Sequence, residues 1–287
     1  MFETFQLPFM QRAFLIGAIA AIPFGLIGTF VVVRRIGYLA GAIAHCAFGG
    51  IGIGLYGQYL LAATVLATFF PPMGVSVLVA VFSAMLIGLI QTQAKEREDT
   101  IIGVIWAAGM ALGLLLLELT PGNVNIANYL FGNILLITQA DVFWVSSLSV
   151  VVLFVVLVFF KRLEAVCFDE EFARLRGVAT MFYFQLLLIL TALTVVLLVR
   201  VVGIVLVIAM LTLPAATACR FAKRLFPICL LAILFGWVVT WLGLVLSVCA
   251  NLSTGPTIVL VAAAVYLVSL LYPFRLKIRK NPSRKNI

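Results

Sequence analysis

The chain has 287 residues, 65% of them hydrophobic and 10% charged, with a formal net charge of +9. Soluble domains carry about 25% charged residues, so a water-surrounded globule is excluded and a lipid-embedded chain is indicated. All but Arg12 and Arg200 of the 19 Lys and Arg fall in five short clusters between long apolar runs. The charge is therefore an orientation signal and a poor nucleic-acid surface, because no basic face alternates with exposed polar residues.

In chain order, the candidate membrane helices cover about 13–33, 39–57, 73–93, 101–119, 141–160, 178–199, 201–219, 226–248 and 257–273. Most approach the roughly 20 apolar residues that a crossing helix needs. The first is too long for a signal-peptide core and has no basic segment before it, so it is read as retained. The expected fold is an all-α polytopic membrane protein of 8–10 helices in one domain, 1–287. Arg34 and Arg35, Lys95 and Arg97, Lys161 to Arg176, Arg220 to Arg224, and Arg275 to Lys285 separate the runs. Positive loops stay cytoplasmic. The C-terminus, with a basic tail over about 274–287, is then inside and the N-terminus outside. By the same alternation 58–72, 120–140, Arg200 and 249–256 fall on the outer side.

Two stretches resist this count. Residues 129–137 are apolar, yet their segment begins and ends on one side, which fits a half-helix dipping into protein. The turn at Arg200 is too tight for two full spans, so one of the flanking helices is expected to be tilted or broken.

His45 is the only histidine. With Gly37, Gly41 and Gly49 it forms an i, i+4 row on one helix face. Those glycines either admit another backbone or leave open space beside the imidazole. An ionisable group at membrane depth points to function; the other reading is a neutral histidine hydrogen-bonded to a neighbouring helix. Gly52, Gly54 and Gly57 spell G-x-G-x-x-G, but inside an apolar span this is no dinucleotide fingerprint. Gly50 with Gly54, and Gly109 with Gly113, read instead as small-residue packing pairs. The sequence has no Walker A, zinc-protease or nucleophile-elbow motif, so no catalytic function and no bound cofactor are expected. The five cysteines show no paired spacing and are read as reduced thiols.

Glu118 and Asp141 stand at the outer ends of two spans. They either draw cations into an outer vestibule or simply end those helices. A cytoplasmic loop is expected over about 161–177. Within it Asp169, Glu170 and Glu171 suit a helix start, Arg174 and Arg176 its end, and Gly177 a left-handed cap. Such a helix is either a docking element or a solvated connector. Pro214, inside an apolar helix, removes a backbone hydrogen bond and is a candidate hinge.

Several segments together carry a resemblance. They are Leu7 to Ala13, Arg34-Arg35 with Ala42 to His45, Asp99 to Gly103 with Ala111 to Gly113, and Leu130 to Ile134. Phe168-Asp169 with Ala173, Arg174 and Gly177, then Gly203 and Pro214 to Ala218, complete the set. In this order the chain resembles the membrane permease of bacterial ATP-binding-cassette importers for divalent metals such as zinc, manganese or iron. The resemblance implies a fold similar to vitamin-B12-type importers and a second permease copy, identical or paralogous, around a central path. It also implies cytoplasmic ATPase subunits that use ATP, a metal-delivering solute-binding protein outside, and location in the bacterial inner membrane. Phe168, Asp169, Ala173, Arg174 and Gly177 resemble the family's coupling helix, and His45 a histidine on its path, with Gly41 and Gly49 lining it. The family commonly has Asp four residues before that histidine; here the residue is Gly41.

The expected function is thus an ATP-driven metal conduit with its motor on another chain. The rivals are an ATP-independent secondary transporter or cation channel, which would need more intramembrane acids than the chain offers, and a membrane scaffold that moves no ion.

Overall fold

The computed structural model describes residues 7–62, 71–93, 98–121, 130–132 and 138–271. Ten long or short helices run in order: α1 Pro8–Val33, α2 Gly37–Leu60, α3 Pro72–Gln93, α4 Glu98–Leu119, α5 Gln139–Phe168, α6 Glu170–Leu175, α7 Thr180–Val202, α8 Ile204–Phe221, α9 Leu225–Ala250 and α10 Thr254–Leu271. All except α6 correspond in order to the expected spans. Among the described residues eight are long and apolar enough to cross a membrane, and α8 contributes a shorter apolar stretch, Leu206–Phe221. The basic tail of 274–287, the Lys95 and Arg97 cluster and most of the expected half-helix lie outside the described residues.

Local chemistry sets the helix ends. Pro8 opens α1 at a position where its missing N–H is no loss. The α1–α2 turn is a Schellman motif: Arg35 is left-handed at φ 60°, while Ile36 N–H and Arg35 N–H donate to the Val31 and Val32 carbonyls at 3.0 and 3.1 Å. Ile36 is buried and begins α2 at once, so the turn has no slack. A capping box opens α5. Thr138 Oγ1 accepts from Asp141 N–H at 3.3 Å, and the Asp141 carboxylate accepts from Thr138 N–H at 3.0 Å.

The α7–α8 junction is a single residue. Gly203 has φ 81° and ends one helix while starting the next. A Cβ there would lie 2.3–2.6 Å from backbone atoms of Leu130, Phe131 and Gly132. The tight turn expected near Arg200 is therefore a helix break, and it seats the Leu130 to Gly132 backbone directly on Gly203.

One expectation is corrected. Residues 161–168 are not loop: α5 continues through them to Phe168, 30 residues in all. At about 1.5 Å per residue this is roughly 45 Å, longer than a hydrocarbon core of about 30 Å. Lys161 and Arg162 need no break in the helix because the overhang carries them past the apolar layer.

Side-chain size decides how the bundle packs, since lipid offers no hydrophobic force between helices. Helix α2 is the most enclosed. Its Gly49 and Gly52 meet α4, where Cβ atoms would fall 2.8 Å from the Gly109 and Gly113 carbonyl oxygens. Its Gly50 and Gly54 meet α3, with Cβ atoms 2.6 Å from Ser76 Cα and 2.5 Å from Pro72 Cα. The Ser76 hydroxyl donates to the Ala47 carbonyl across this contact at 2.7 Å. The small-residue pairs expected from sequence are thus backbone contact points. Helix α1 closes on α8 and α9 in the same way, through Gly28 against the Leu211 carbonyl and Gly25 against Ile233.

Gly49→Ala is therefore expected to destabilise the protein by about 1–3 kcal/mol through overpacking. Gly103→Ala, which meets nothing within 4 Å, should be neutral or stabilising by up to about 1 kcal/mol. Thermal unfolding of the two variants in the same detergent checks the contrast.

Candidate functional site

His45 lies eight residues into α2, about 12 Å along its axis. It is only half-buried, so the imidazole stands at a surface of the chain at membrane depth. One ring face is covered by Trp106 of α4, with centroids 4.9 Å apart and planes inclined by 26°. Its Nδ1 is buried and has no hydrogen-bond partner among the described residues. A buried polar atom left open in this way calls for a ligand, an ion or water.

The two glycines flanking His45 on its face are both covered. Gly41 lies beneath Trp106, where a Cβ would stand 2.6 Å from indole Cη2 and 2.8 Å from Cζ3. Gly49 lies against the Gly109 backbone. Gly49 also lines a cavity of about 280 Å³ with Cys46, Ser83 and Gly109. The adjacent Cys46 thiol turns to α4, donating to the Ile105 carbonyl at 3.6 Å. Among the described residues no three His, Cys, Asp or Glu side chains gather into a metal-binding cluster. His45 is the one imidazole of the chain.

At the basic end the second expected site is a finished local structure. Asp169 caps α6, its carboxylate accepting from Phe172 N–H at 2.9 Å. The other end is a Schellman cap: Gly177 has φ 78°, Val178 N–H donates to the Ala173 carbonyl at 3.1 Å and Gly177 N–H to Arg174 at 3.0 Å. Six residues are too few to hold a helix by propensity alone; the two caps and the buried Ala173 supply what is missing. Outward it presents Phe172 and Leu175, the latter 86% exposed, beside the exposed Phe168. Arg174 is exposed with them.

Arg34 holds this element to the rest of the bundle. Its guanidinium donates to the Val166 carbonyl of α5 and to the Glu170 carboxylate of α6, and lies 4.6 Å from the Phe184 ring centroid of α7. Arg220, near the end of α8, donates to the Ser269 carbonyl of α10 at 2.9 Å. Lys223, Arg224 and Phe226 line one cavity with Phe160, Glu164 and Phe168. Basic clusters distant in sequence thus converge on one end.

Of the remaining expected residues, Glu118 is exposed one residue before the end of α4, and Asp141 is buried in the α5 capping box. Pro214 lies inside α8, which stays helical around it. The Thr212 and Thr217 hydroxyls donate to the carbonyls of Ile208 and Leu213 at 2.9 and 2.8 Å, a pattern that bends helices. Sequence reasoning missed Trp106. Nothing in a single sequence says which aromatic of α4 will stand over a glycine of α2, although Gly41 on the His45 face marks where a bulky partner fits.

The model of the ABC 3 transport family matches residues 6–273. A Chlamydia pneumoniae protein described as a probable metal transport system membrane protein is 36% identical, covering 98% of this chain and 93% of its own length. The manganese transport system membrane protein MntC of Listeria monocytogenes is 30% identical over 93% of this chain and 91% of its own. Among solved structures, PsaBC from Streptococcus pneumoniae in complex with Fab superposes with a TM-score of 0.82 at 29% identity, covering 94% of each chain. A family match spanning nearly every residue, on the same helical architecture, makes this chain a member of the ABC 3 transport family.

Proposed function

We propose that this protein is the membrane permease of a bacterial ABC importer for a divalent metal ion, with ATP consumed by separate cytoplasmic subunits. A solute-binding protein delivers the ion on the outer side, and two permease copies enclose the path in the inner membrane. The family membership and the metal-transport names of the relatives support the substrate class. The convergence of basic residues on one end supports that end, with the C-terminus, as cytoplasmic and the N-terminus as outside.

The observation that carries the reading is α6. It is a rigid, doubly capped helix with an exposed apolar face, at the end where a nucleotide-hydrolysing partner would bind. Apolar side chains exposed on a structured element at a helix overhang mark an interaction surface. Force applied to α6 has a short route inward. Glu170 and Val166 grip Arg34, Arg34 sits on the rigid α1–α2 turn, and α2 carries His45. The path role of His45 rests on its half-exposed position and its unpartnered nitrogen. Pro214, in an apolar helix with two back-bonded threonines, serves as the point where α8 flexes. Glu118 and Asp141 lie toward the outer mouth, Asp141 chiefly as the capping residue of α5.

Three outcomes are expected. Leu175→Glu should weaken copurification of the ATPase by about 2 kcal/mol or more, as at other interface anchors, while the permease melts normally; wild-type recovery of the ATPase would refute docking on α6. His45→Ala should lower metal uptake by cells about 10- to 100-fold with assembly intact, and unaltered uptake would remove it from the path. Arg34→Ala should leave the ATPase bound yet uncouple its hydrolysis from uptake, read as metal transported per ATP in proteoliposomes.

A further inference from the structure

Position 41 and the indole of Trp106 compete for one volume. Gly41 and His45 are a turn apart on the same face of α2, so residue 41 is where a second ligand beside the imidazole would come from. Any side chain there starts with a Cβ, and that atom would lie 2.6–2.8 Å from the Trp106 ring. The contacting atoms belong to the six-membered ring of the indole, a rigid unit that must turn as a whole to make room. Trp106 also meets the imidazole face to face. Imidazole lone pairs lie in the ring plane, so a stacked partner fixes the ring without consuming its ligand atoms. On the ring edge, Nδ1 is buried without a hydrogen-bond partner among the described residues.

The geometry assigns Trp106 as a specificity-determining residue: by filling the space over Gly41 it bars an oxygen ligand from the place beside His45 and leaves a nitrogen-only contribution. Resting on the path role of His45 proposed above, this names the preferred cargo. Imidazole without carboxylate suits Zn²⁺ and Fe²⁺, whereas Mn²⁺ is the weakest binder of the series and is favoured by carboxylate oxygen. The site discriminates against Mn²⁺ because the indole excludes the group that Mn²⁺ prefers. The thiol of Cys46, turned to the Ile105 carbonyl, does not replace that group. Any further ligand comes from water or from the second copy, so the exclusion concerns the side-chain ligand that residue 41 would supply.

Zinc and manganese uptake are compared in cells carrying the intact transporter with wild-type, His45→Ala, Trp106→Ala, Gly41→Asp and Gly41→Asp/Trp106→Ala permease. The double variant, which opens the volume and fills it with a carboxylate, should shift the uptake ratio toward manganese by about tenfold or more relative to Trp106→Ala. Gly41→Asp alone should misassemble, because the ring is still in place. An unshifted ratio in a double variant that transports, or normal assembly and a shifted ratio in Gly41→Asp, would overturn the assignment. If His45→Ala transports normally, the path reading itself fails; if it does not, an unshifted ratio condemns only the role of Trp106.

A second measurement decides the matter should the double variant fail to assemble. The chain has four Trp, and Trp106 emission is the share lost in Trp106→Phe. Co²⁺ added to the purified permease–ATPase complex should quench that share, and His45→Ala should abolish the quenching. Full Trp106 emission at saturating Co²⁺ would overturn the proposal.

Discussion

Backbone contact between helices that have almost no side chains at their crossing points is the constraint on which the rest depends. In lipid, association of helices relies on close packing and a few hydrogen bonds. Helix α2 meets both terms by offering Gly50 and Gly54 to α3, Gly49 and Gly52 to α4, and the Ala47 carbonyl to the Ser76 hydroxyl. Because α4 approaches so closely, its Trp106 reaches across to the face that holds His45. Helices spaced by leucines would put that indole too far away to stack. The same glycines that hold the bundle together therefore set the surroundings of its one imidazole.

From that helix the structure runs without slack to the basic end. Arg35 accepts a left-handed backbone that a β-carbon disfavours, and the gain is a turn in which α1 ends and α2 begins within three residues. Arg34 on this turn satisfies a carbonyl of α5, a carboxylate of α6 and an aromatic ring of α7 together. A planar guanidinium can engage several partners at once in a fixed geometry, as an ammonium cannot. Movement of α6 relative to α2 without breaking these contacts is excluded, so the two move as one body or the ion pair opens.

The features legible in the sequence were those with a period or a local rule behind them. Apolar runs marked the helices, and clustered Lys and Arg marked one end. Asp169 and Gly177 announced α6 because N-cap and left-handed C-cap chemistry is local to a few residues. The α5 overhang is not legible because Lys161 and Arg162 look like a loop boundary, whereas a helix longer than the bilayer carries charges past the lipid without breaking. The contacts of Trp106 with Gly41, of Gly203 with the Leu130 to Gly132 backbone, and of Arg34 with Glu170 join residues 65 to more than 130 positions apart. No local pattern encodes such distances. They are tertiary facts, visible in sequence only as glycines whose partners cannot be named.

A conduit must hold its ion loosely enough to release it, and strong complete cages conduct poorly. One chain here supplies a single imidazole, stiffened by a ring on one face and standing half-exposed at the surface of the bundle. Were His45 a storage ligand, it would be enclosed with further donors from neighbouring helices, yet the neighbour stacked on it is the Trp106 indole and no cluster of three metal-binding side chains forms among the described residues. On the proposed reading, the ligands that complete the coordination belong to a second copy, and the site then depends on how two copies sit against each other. A site whose ligands belong to different bodies is made and unmade as those bodies move, so on that reading rigid-body motion driven from α6 would change affinity without any rearrangement inside either chain.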